Sequence, residues 1–265
     1  MRSGANHGKF RFPPNPAGPI MPHTQTQIPT AEGLCPVHVL TPDGAGPWPA
    51  VIFYMDGLGM RQTLIDMAQR LADNGYVVLL PDMYYRWGAY DALVPTEVFK
   101  GDFRATVGPM MATTGNAAAA RDTAAFLAWL GTHPQVKGNH VGTVGFCMGG
   151  GMALTAAGTY PDRVVAAASF HGGRLVTDDP ASPHLLAPQI KAELLIAGAD
   201  NDASYPMEMH QALIAALDAA GVRHHSEIYT GAAHGWMKAD FPVYDAAAAE
   251  RGWAEMLALF ARNLA

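Results

Sequence analysis

The sharpest chemical signal in this sequence is Gly145-Phe-Cys147-Met-Gly149-Gly150. An apolar run, His140–Phe146, precedes the cysteine and a Gly/Ala-rich segment, Met148–Thr159, comes after it. A strand, a sharp turn and a helix are therefore expected, with Cys147 on the turn. This is the G-x-nucleophile-x-G elbow with Cys in the usual place of Ser. Glycines two positions before and after the nucleophile remove side chains that would crowd so tight a turn. The thiol then stands above the sheet at a helix N-terminus, whose dipole and free N–H groups favour a thiolate. The Met148 N–H is placed to stabilise an oxyanion on an attacked carbonyl. A buried, inert cysteine at an ordinary glycine-rich turn would share these residues, and so would a redox-sensing thiol.

Residues downstream of Cys147 weigh against both alternatives. A nucleophile at such a turn needs a base and an acid that orients it, in the chain order nucleophile, acid, base. Leu194-Leu-Ile-Ala-Gly-Ala-Asp200-Asn-Asp202-Ala-Ser-Tyr-Pro206 places two carboxylates after a strand and before a helix. Asp200 and Asp202 compete for the role, and the other is a turn or helix-capping residue. Tyr229-Thr-Gly-Ala-Ala-His234-Gly-Trp236 then supplies a histidine in a glycine-containing loop after the last strand. His171 is its rival, because it also ends a strand. His224 and His225 are adjacent in a strand and face opposite ways, so they do not share a ligand or proton.

These residues are positioned by alternating strand and helix patterns. Strands are expected at Pro36–Leu40, Ala50–Tyr54, Tyr76–Leu80, His140–Phe146, Val164–Phe170, Glu193–Ala197 and His224–Tyr229. Helices are expected at Met60–Asn74, Asn116–Leu130, Met148–Thr159, Tyr205–Ala220 and Tyr244–Leu264. In the first helix Leu64, Met67, Ala68, Leu71 and Ala72 share one face and Gly75 ends it. Residues 84–115 read as irregular and cover part of a site. Alternation with wholly apolar strands implies an α/β fold, a mostly parallel sheet with helices on both faces. Sites in such sheets lie beyond the carboxyl ends of the strands. Residues 1–33 read as an extended N-terminal arm, with 1–20 an upstream extension if Met21 is the natural start. Residues 34–265 read as a single domain.

Composition narrows the function classes. Of the 265 residues, 49% are hydrophobic, enough for one large core. The net charge of −6 leaves no basic surplus for nucleic acid. Two cysteines, Cys35 and Cys147, make neither a disulfide scaffold nor a zinc ribbon. No His/Cys/carboxylate cluster has metal-ligand spacing, and no dinucleotide fingerprint or P-loop occurs, so no metal and no cofactor are expected. No apolar run is long enough for a membrane span, and the N-terminus lacks the apolar core of a signal peptide. The expectation is a cytoplasmic monomer or small homo-oligomer with a small-molecule partner, no nucleic acid and no membrane.

With these motifs in order, the chain resembles the dienelactone hydrolase family of the α/β-hydrolase fold, from about residue 34 to 264. The resemblance implies that Cys147 is the nucleophile and His234 the general base. The family acid stands four residues before a proline, as Asp202 does before Pro206, so the resemblance selects Asp202. Asp56, in Met55-Asp56-Gly57-Leu58-Gly59, stands where the family has a glutamate that helps control thiol ionisation; the side chain here is shorter. Gly57 would lend the second oxyanion-hole N–H beside Met148. Pro81-Asp82-Met83-Tyr84-Tyr85-Arg86 matches a family run whose arginine binds a substrate carboxylate. Lys238 stands where a second arginine is found, and lacks its bidentate fork. His171-Gly172 replaces a Tyr-Gly, and Trp236 joins the expected substrate-binding residues.

The implied reaction is covalent hydrolysis through a thioester, with the Cys147 thiolate attacking an ester or lactone carbonyl. A thiolate is itself a good leaving group, so activated substrates suit it: enol-lactones and aryl esters. The alternatives are a thiol redox or sensor protein using Cys147 and a non-catalytic small-molecule-binding protein.

Overall fold

The computed structural model describes residues 23–264. Eight strands form one sheet: β1 (His23–Thr30), β2 (Gly33–Leu40), β3 (Trp48–Tyr54), β4 (Val77–Pro81), β5 (Val136–Phe146), β6 (Val164–Phe170), β7 (Glu193–Asn201) and β8 (His224–Ala233). Their order is β1-β2-β4-β3-β5-β6-β7-β8. The β1/β2 and β2/β4 pairs are antiparallel; every later pair, from β4/β3 to β7/β8, is parallel. The mostly parallel α/β sheet expected from alternation is the one observed.

Seven α-helices accompany it: α1 (Gln62–Asp73), α2 (Pro95–Lys100), α3 (Phe103–Met111), α4 (Asn116–Leu130), α5 (Met148–Thr159), α6 (Met207–Ala219) and α7 (Ala246–Leu264). In α1 the buried residues are Leu64, Met67, Ala68, Leu71 and Ala72, the stripe read from spacing. Gly75 comes next at φ +93°, a conformation that ends a helix without the penalty a Cβ would add. The α5 helix is buried along nearly its whole length, and its small residues let it lie close on the sheet. Arg70 of α1 and Glu250 of α7 pair at 2.6 Å on the opposite face.

Three expectations change. His23–Thr30 is a sheet strand rather than part of an arm: it pairs antiparallel with β2 from His23↔Leu40 to Thr30↔Gly33. Its polar alternation, with only Ile28 fully buried, is that of an edge strand, which has no wholly apolar run to announce it. The rest of the expected arm, residues 1–22, lies outside the described residues. Residues 84–115 contain α2 and α3, too short for a periodic apolar face to show. Pro95 starts the first, and the Asp102 carboxylate accepts the Ala105 N–H to cap the second. Finally, β7 and β8 run four residues further than their apolar cores, to Asn201 and Ala233. This extension carries Asp202 and His234 to adjacent strand ends. Among the described residues no helix is long and apolar enough to cross a membrane.

Candidate active site

The carboxyl ends of β3, β5, β6, β7 and β8 present Asp56, Cys147, His171, Asp202 and His234 along one edge of the sheet. Cys147 stands at the N-cap of α5 with φ 55° and ψ −117°, a strained backbone for any residue but glycine. Its thiol is half-buried, and its N–H donates to the Phe170 carbonyl at 3.1 Å. The flanking glycines are required. A Cβ on Gly145 would lie 1.8 Å from the Gly149 carbonyl oxygen, and one on Gly149 would lie 2.4 Å from the Tyr54 oxygen. Met148 is the first residue of α5, so its N–H has no acceptor within the helix. The Gly57 carbonyl accepts the Tyr84 hydroxyl at 2.8 Å. Leu58, Val98, Val107 and Phe241 form a small apolar cluster with Met111, so α2 and α3 cover the Gly57 loop.

The structure separates the two candidate acids. Asp202 Oδ2 lies 2.7 Å from His234 Nδ1. Asp200 is exposed and its Oδ2 instead accepts the Gly231 N–H at 2.9 Å, bracing the loop. Asp200 is still within β7 and exposed, whereas Asp202 lies just past the end of the strand and is buried. Ser204, missed in the sequence, completes the arrangement. Its hydroxyl donates to Asp202 Oδ1 at 2.6 Å, its N–H reaches the same oxygen at 2.8 Å, and its oxygen lies 3.1 Å from His234 Nδ1. Burial raises the Asp202 carboxyl, but the His234 and Ser204 contacts outweigh it and hold the pKa below the usual range. Burial likewise works against charge on His234, yet the Cys147 charge and the Asp202 hydrogen bond raise it to about 10. With Asp202 on Nδ1, Nε2 is the ring nitrogen left on the opposite side. Ser204→Ala is expected to lower kcat about tenfold through the lost charge-assisted hydrogen bond, with an unchanged melting curve; steady-state kinetics beside a thermal melt check this.

The remaining expected site residues are placed differently. Asp56 is buried in an ion cluster: Arg61 meets both its oxygens at 2.7 and 2.8 Å, and Lys238 Nζ lies 3.2 Å from Oδ2. Lys238 is fully buried, 4.0 Å over the Phe146 ring, rather than open to a substrate carboxylate. Burial lowers its pKa to about 8. Trp236 is fully buried and stacks on Tyr229 at 4.3 Å, a core contact rather than a substrate surface. The Arg86 guanidinium is taken up by Glu32 in the β1–β2 turn and by Asp122 of α4 at 2.8 Å, so its fork braces β1 instead of standing free. His171 does reach the site, its ring centroid 5.2 Å from that of His234. It is fully buried, and neither ring nitrogen has a hydrogen-bond partner among the described residues. Burial, with His234 and Lys238 nearby, lowers its pKa well below the ordinary value, so it is neutral.

Arg61 and Asp240 were also missed. One signal existed: Arg61 is the N-cap of α1, where a cation opposes the helix dipole unless it is paired. Two cavities lie off this cluster, of about 200 Å³ between β7, β8 and α7 and about 550 Å³ along residues 231–233 and 242–247. Away from the thiol, His225, Glu227 and Glu255 bring ligand atoms within 4.8 Å of one another. Glu227 is already paired with Arg251 at 2.8 Å, and Glu255 accepts the Tyr229 hydroxyl at 2.9 Å.

Residues 36–264 match the family model described as "Dienelactone hydrolase family". A Synechocystis protein named "Putative carboxymethylenebutenolidase" is 28% identical over 86% of this chain and 91% of its own length. An Escherichia coli K12 protein of the same name is 28% identical over 89% of this chain and 85% of its own. Among solved structures, a "Putative Dienelactone Hydrolase" from Klebsiella pneumoniae superposes with a TM-score of 0.77 at 26% identity, covering 91% of this chain and 98% of that one.

Proposed function

The chain belongs to the dienelactone hydrolase family and is a hydrolase; from that premise we propose that it cleaves small activated carboxylic esters or enol-lactones through a Cys147 thioester. The observation that carries this reading is the 2.7 Å Asp202–His234 contact beside a cysteine held in a strained elbow. In the proposed reaction Cys147 gives its thiol proton to His234, its sulfur bonds to the carbonyl carbon, and the carbonyl pair moves onto oxygen. The N–H groups of Gly57 and Met148 receive that oxyanion. Collapse breaks the carbon–oxygen bond, and the departing enolate or aryloxide takes a proton from His234. A water then attacks the thioester while His234 accepts its proton, and the thiolate leaves with the acid released.

The nucleophile also selects the substrate class. An ordinary thiol has a pKa near about 8.5, far below that of an alcohol. The tetrahedral adduct therefore returns to substrate unless the departing oxygen is also a good leaving group. Enolates and aryloxides meet that condition; amides and simple alkyl esters do not. A redox function would need a resolving thiol, and Cys35 is fully buried on β2, its thiol pKa pushed up by burial.

The test is hydrolysis of p-nitrophenyl acetate and butyrate beside a dienelactone, with acid-quenched samples mapped for an acyl group on Cys147. Turnover with the acyl group on Cys147 is the expected result, and the ratio of the rates sets the preference between lactone and open ester. A folded protein that cleaves none of them, or carries the acyl group elsewhere, would overturn the proposal.

A further inference from the structure

Both cations expected to hold a substrate carboxylate are already occupied. Arg86 is shared between Glu32 and Asp122, and Lys238 is buried against Asp56. Arg61, the other cation of that cluster, is held by Asp56 and Asp240. Arg174, in the turn after β6, is different. It is exposed, and among the described residues its side chain makes no ion pair or hydrogen bond. Its backbone is nonetheless fixed against the site. The Gly173 N–H donates to the Cys147 carbonyl at 3.4 Å, and the Arg174 N–H donates to the Ser204 carbonyl at 2.8 Å. Ser204 is the residue whose hydroxyl meets Asp202 and lies beside His234. On the other side Leu175 is fully buried, and the Ser182 hydroxyl donates to its carbonyl at 3.2 Å.

Resting on the hydrolytic reading, we propose that Arg174 is a specificity-determining residue: it receives the carboxylate of an acidic ester or lactone, so that the turn after β6, rather than Arg86 or Lys238, supplies the anion-binding cation. The backbone supports this. Arg174 has φ 56°, in the left-handed region where a side chain costs energy that glycine avoids. Gly172 and Gly173 precede it, yet this strained position carries a long cationic side chain. Strain of this kind persists where rigid surroundings enforce it, and it clusters at ligand sites. A fixed backbone also lowers the ordering cost of binding. The guanidinium offers parallel N–H donors that match the two oxygens of a carboxylate. The nearest carboxylates in the chain, Asp178 and Asp179, form no ion pair with it among the described residues, and Asp179 accepts the Ala181 N–H at 2.7 Å. An anionic substrate therefore meets an unpaired charge at Arg174 and neutralised ones at Arg86 and Lys238.

The experiment compares activated esters that differ in one charge: mono-p-nitrophenyl glutarate against p-nitrophenyl hexanoate, and 4-acetoxybenzoate against its methyl ester. The first pair carries the carboxylate on the acyl part, the second on the leaving group. At low ionic strength wild type is expected to favour the anion in at least one pair. Arg174→Asn is expected to lower that anion-to-neutral ratio of kcat/KM by about tenfold or more, through KM. Asparagine tolerates a positive φ, so the turn is kept. Arg174→Lys is expected to fall between the two, with the charge but without the fork. Arg86→Gln is expected to leave the ratio at its wild-type value. A merely structural role for Arg174 would change both members of a pair alike. No anionic preference in either pair, a preference that survives in Arg174→Asn, or one that Arg86→Gln removes would overturn the proposal. Calorimetric binding of glutarate and 4-hydroxybenzoate, the acidic products, separates the two readings. If no ester is cleaved, the hydrolytic reading falls and binding alone decides: an acid held by wild type and lost in Arg174→Asn supports Arg174, and no difference rejects it. Turnover with a ratio that ignores Arg174 sinks this inference alone.

Discussion

Replacing Cys147 by alanine is expected to lower kcat for p-nitrophenyl acetate by about four orders of magnitude or more, toward the background reaction. In the proposed reaction the alanine removes the sulfur that forms the acyl bond, while the glycines of the elbow are kept. Asp202→Asn is expected to cost about three to four orders of magnitude, although its amide is nearly isosteric. The carboxylate holds Nδ1 of His234 protonated at 2.7 Å and offsets the charge the ring acquires. An amide can present its NH2 to that nitrogen instead, which stabilises the wrong tautomer and supplies no charge. Asp200→Asn is expected to leave turnover near wild type, since an amide oxygen can still accept the Gly231 N–H. Steady-state kinetics of the three variants provide the comparison. Equal losses at positions 200 and 202 would mean that the acid has been misassigned. The pH dependence has a definite sign. Loss of Asp202 removes a contact that raises the His234 pKa, so the protonated imidazole of Asp202→Asn should persist only to a lower pH than in wild type.

Gly145→Ala is expected to destroy the fold rather than the chemistry. The added methyl would sit 1.8 Å from the Gly149 oxygen, 2.1 Å from its carbonyl carbon and 2.7 Å from the Gly150 nitrogen. All three are backbone atoms of the first turn of α5, so no rotamer change relieves the contact. The strand and the helix would have to separate at the point where the sheet, the buried α5 and the thiol meet. A loss above about 4 kcal/mol is expected, in the range reserved for overpacking and backbone strain. A thermal or urea melt by circular dichroism measures it, with Gly108→Ala as the control. Gly108 lies in α3 with nothing within 4 Å of its would-be Cβ. Alanine there should be neutral or stabilise by about 0.5–1 kcal/mol through helix propensity. A Gly145→Ala protein as stable as wild type would show that the elbow is looser than its geometry requires.

The two predictions differ in how much of them a reader of the sequence could have made. The elbow, its glycines, the chain order of cysteine, carboxylate and histidine, and the apolar stripe of α1 are patterns along the chain. Spacing along the chain translates directly into a turn or a helix face, so these were legible before any coordinates. The choice between Asp200 and Asp202 was not legible from the residues alone. It depends on how far β7 continues past its apolar core, and the polar residues that extend it carry no periodic signal. Ser204 required the same strand end to be seen. Strand β1 was hidden because an edge strand need not be apolar.

Charge partners were the least legible feature. Arg61 and Asp240 are 179 residues apart in the chain. Arg86 joins Glu32 and Asp122 across 54 and 36 residues. Nothing in a linear pattern says which distant charge a side chain will meet, because the pairing is set by which loops the sheet order brings together. The residues at Asp56, Arg86 and Lys238 could therefore be named from the sequence, but their surroundings could not. The sequence by itself determined which groups are able to do chemistry and the order in which the chain delivers them. Only the tertiary structure decided which of them face one another, because a carboxylate or an ammonium takes its character from the charges and the burial around it.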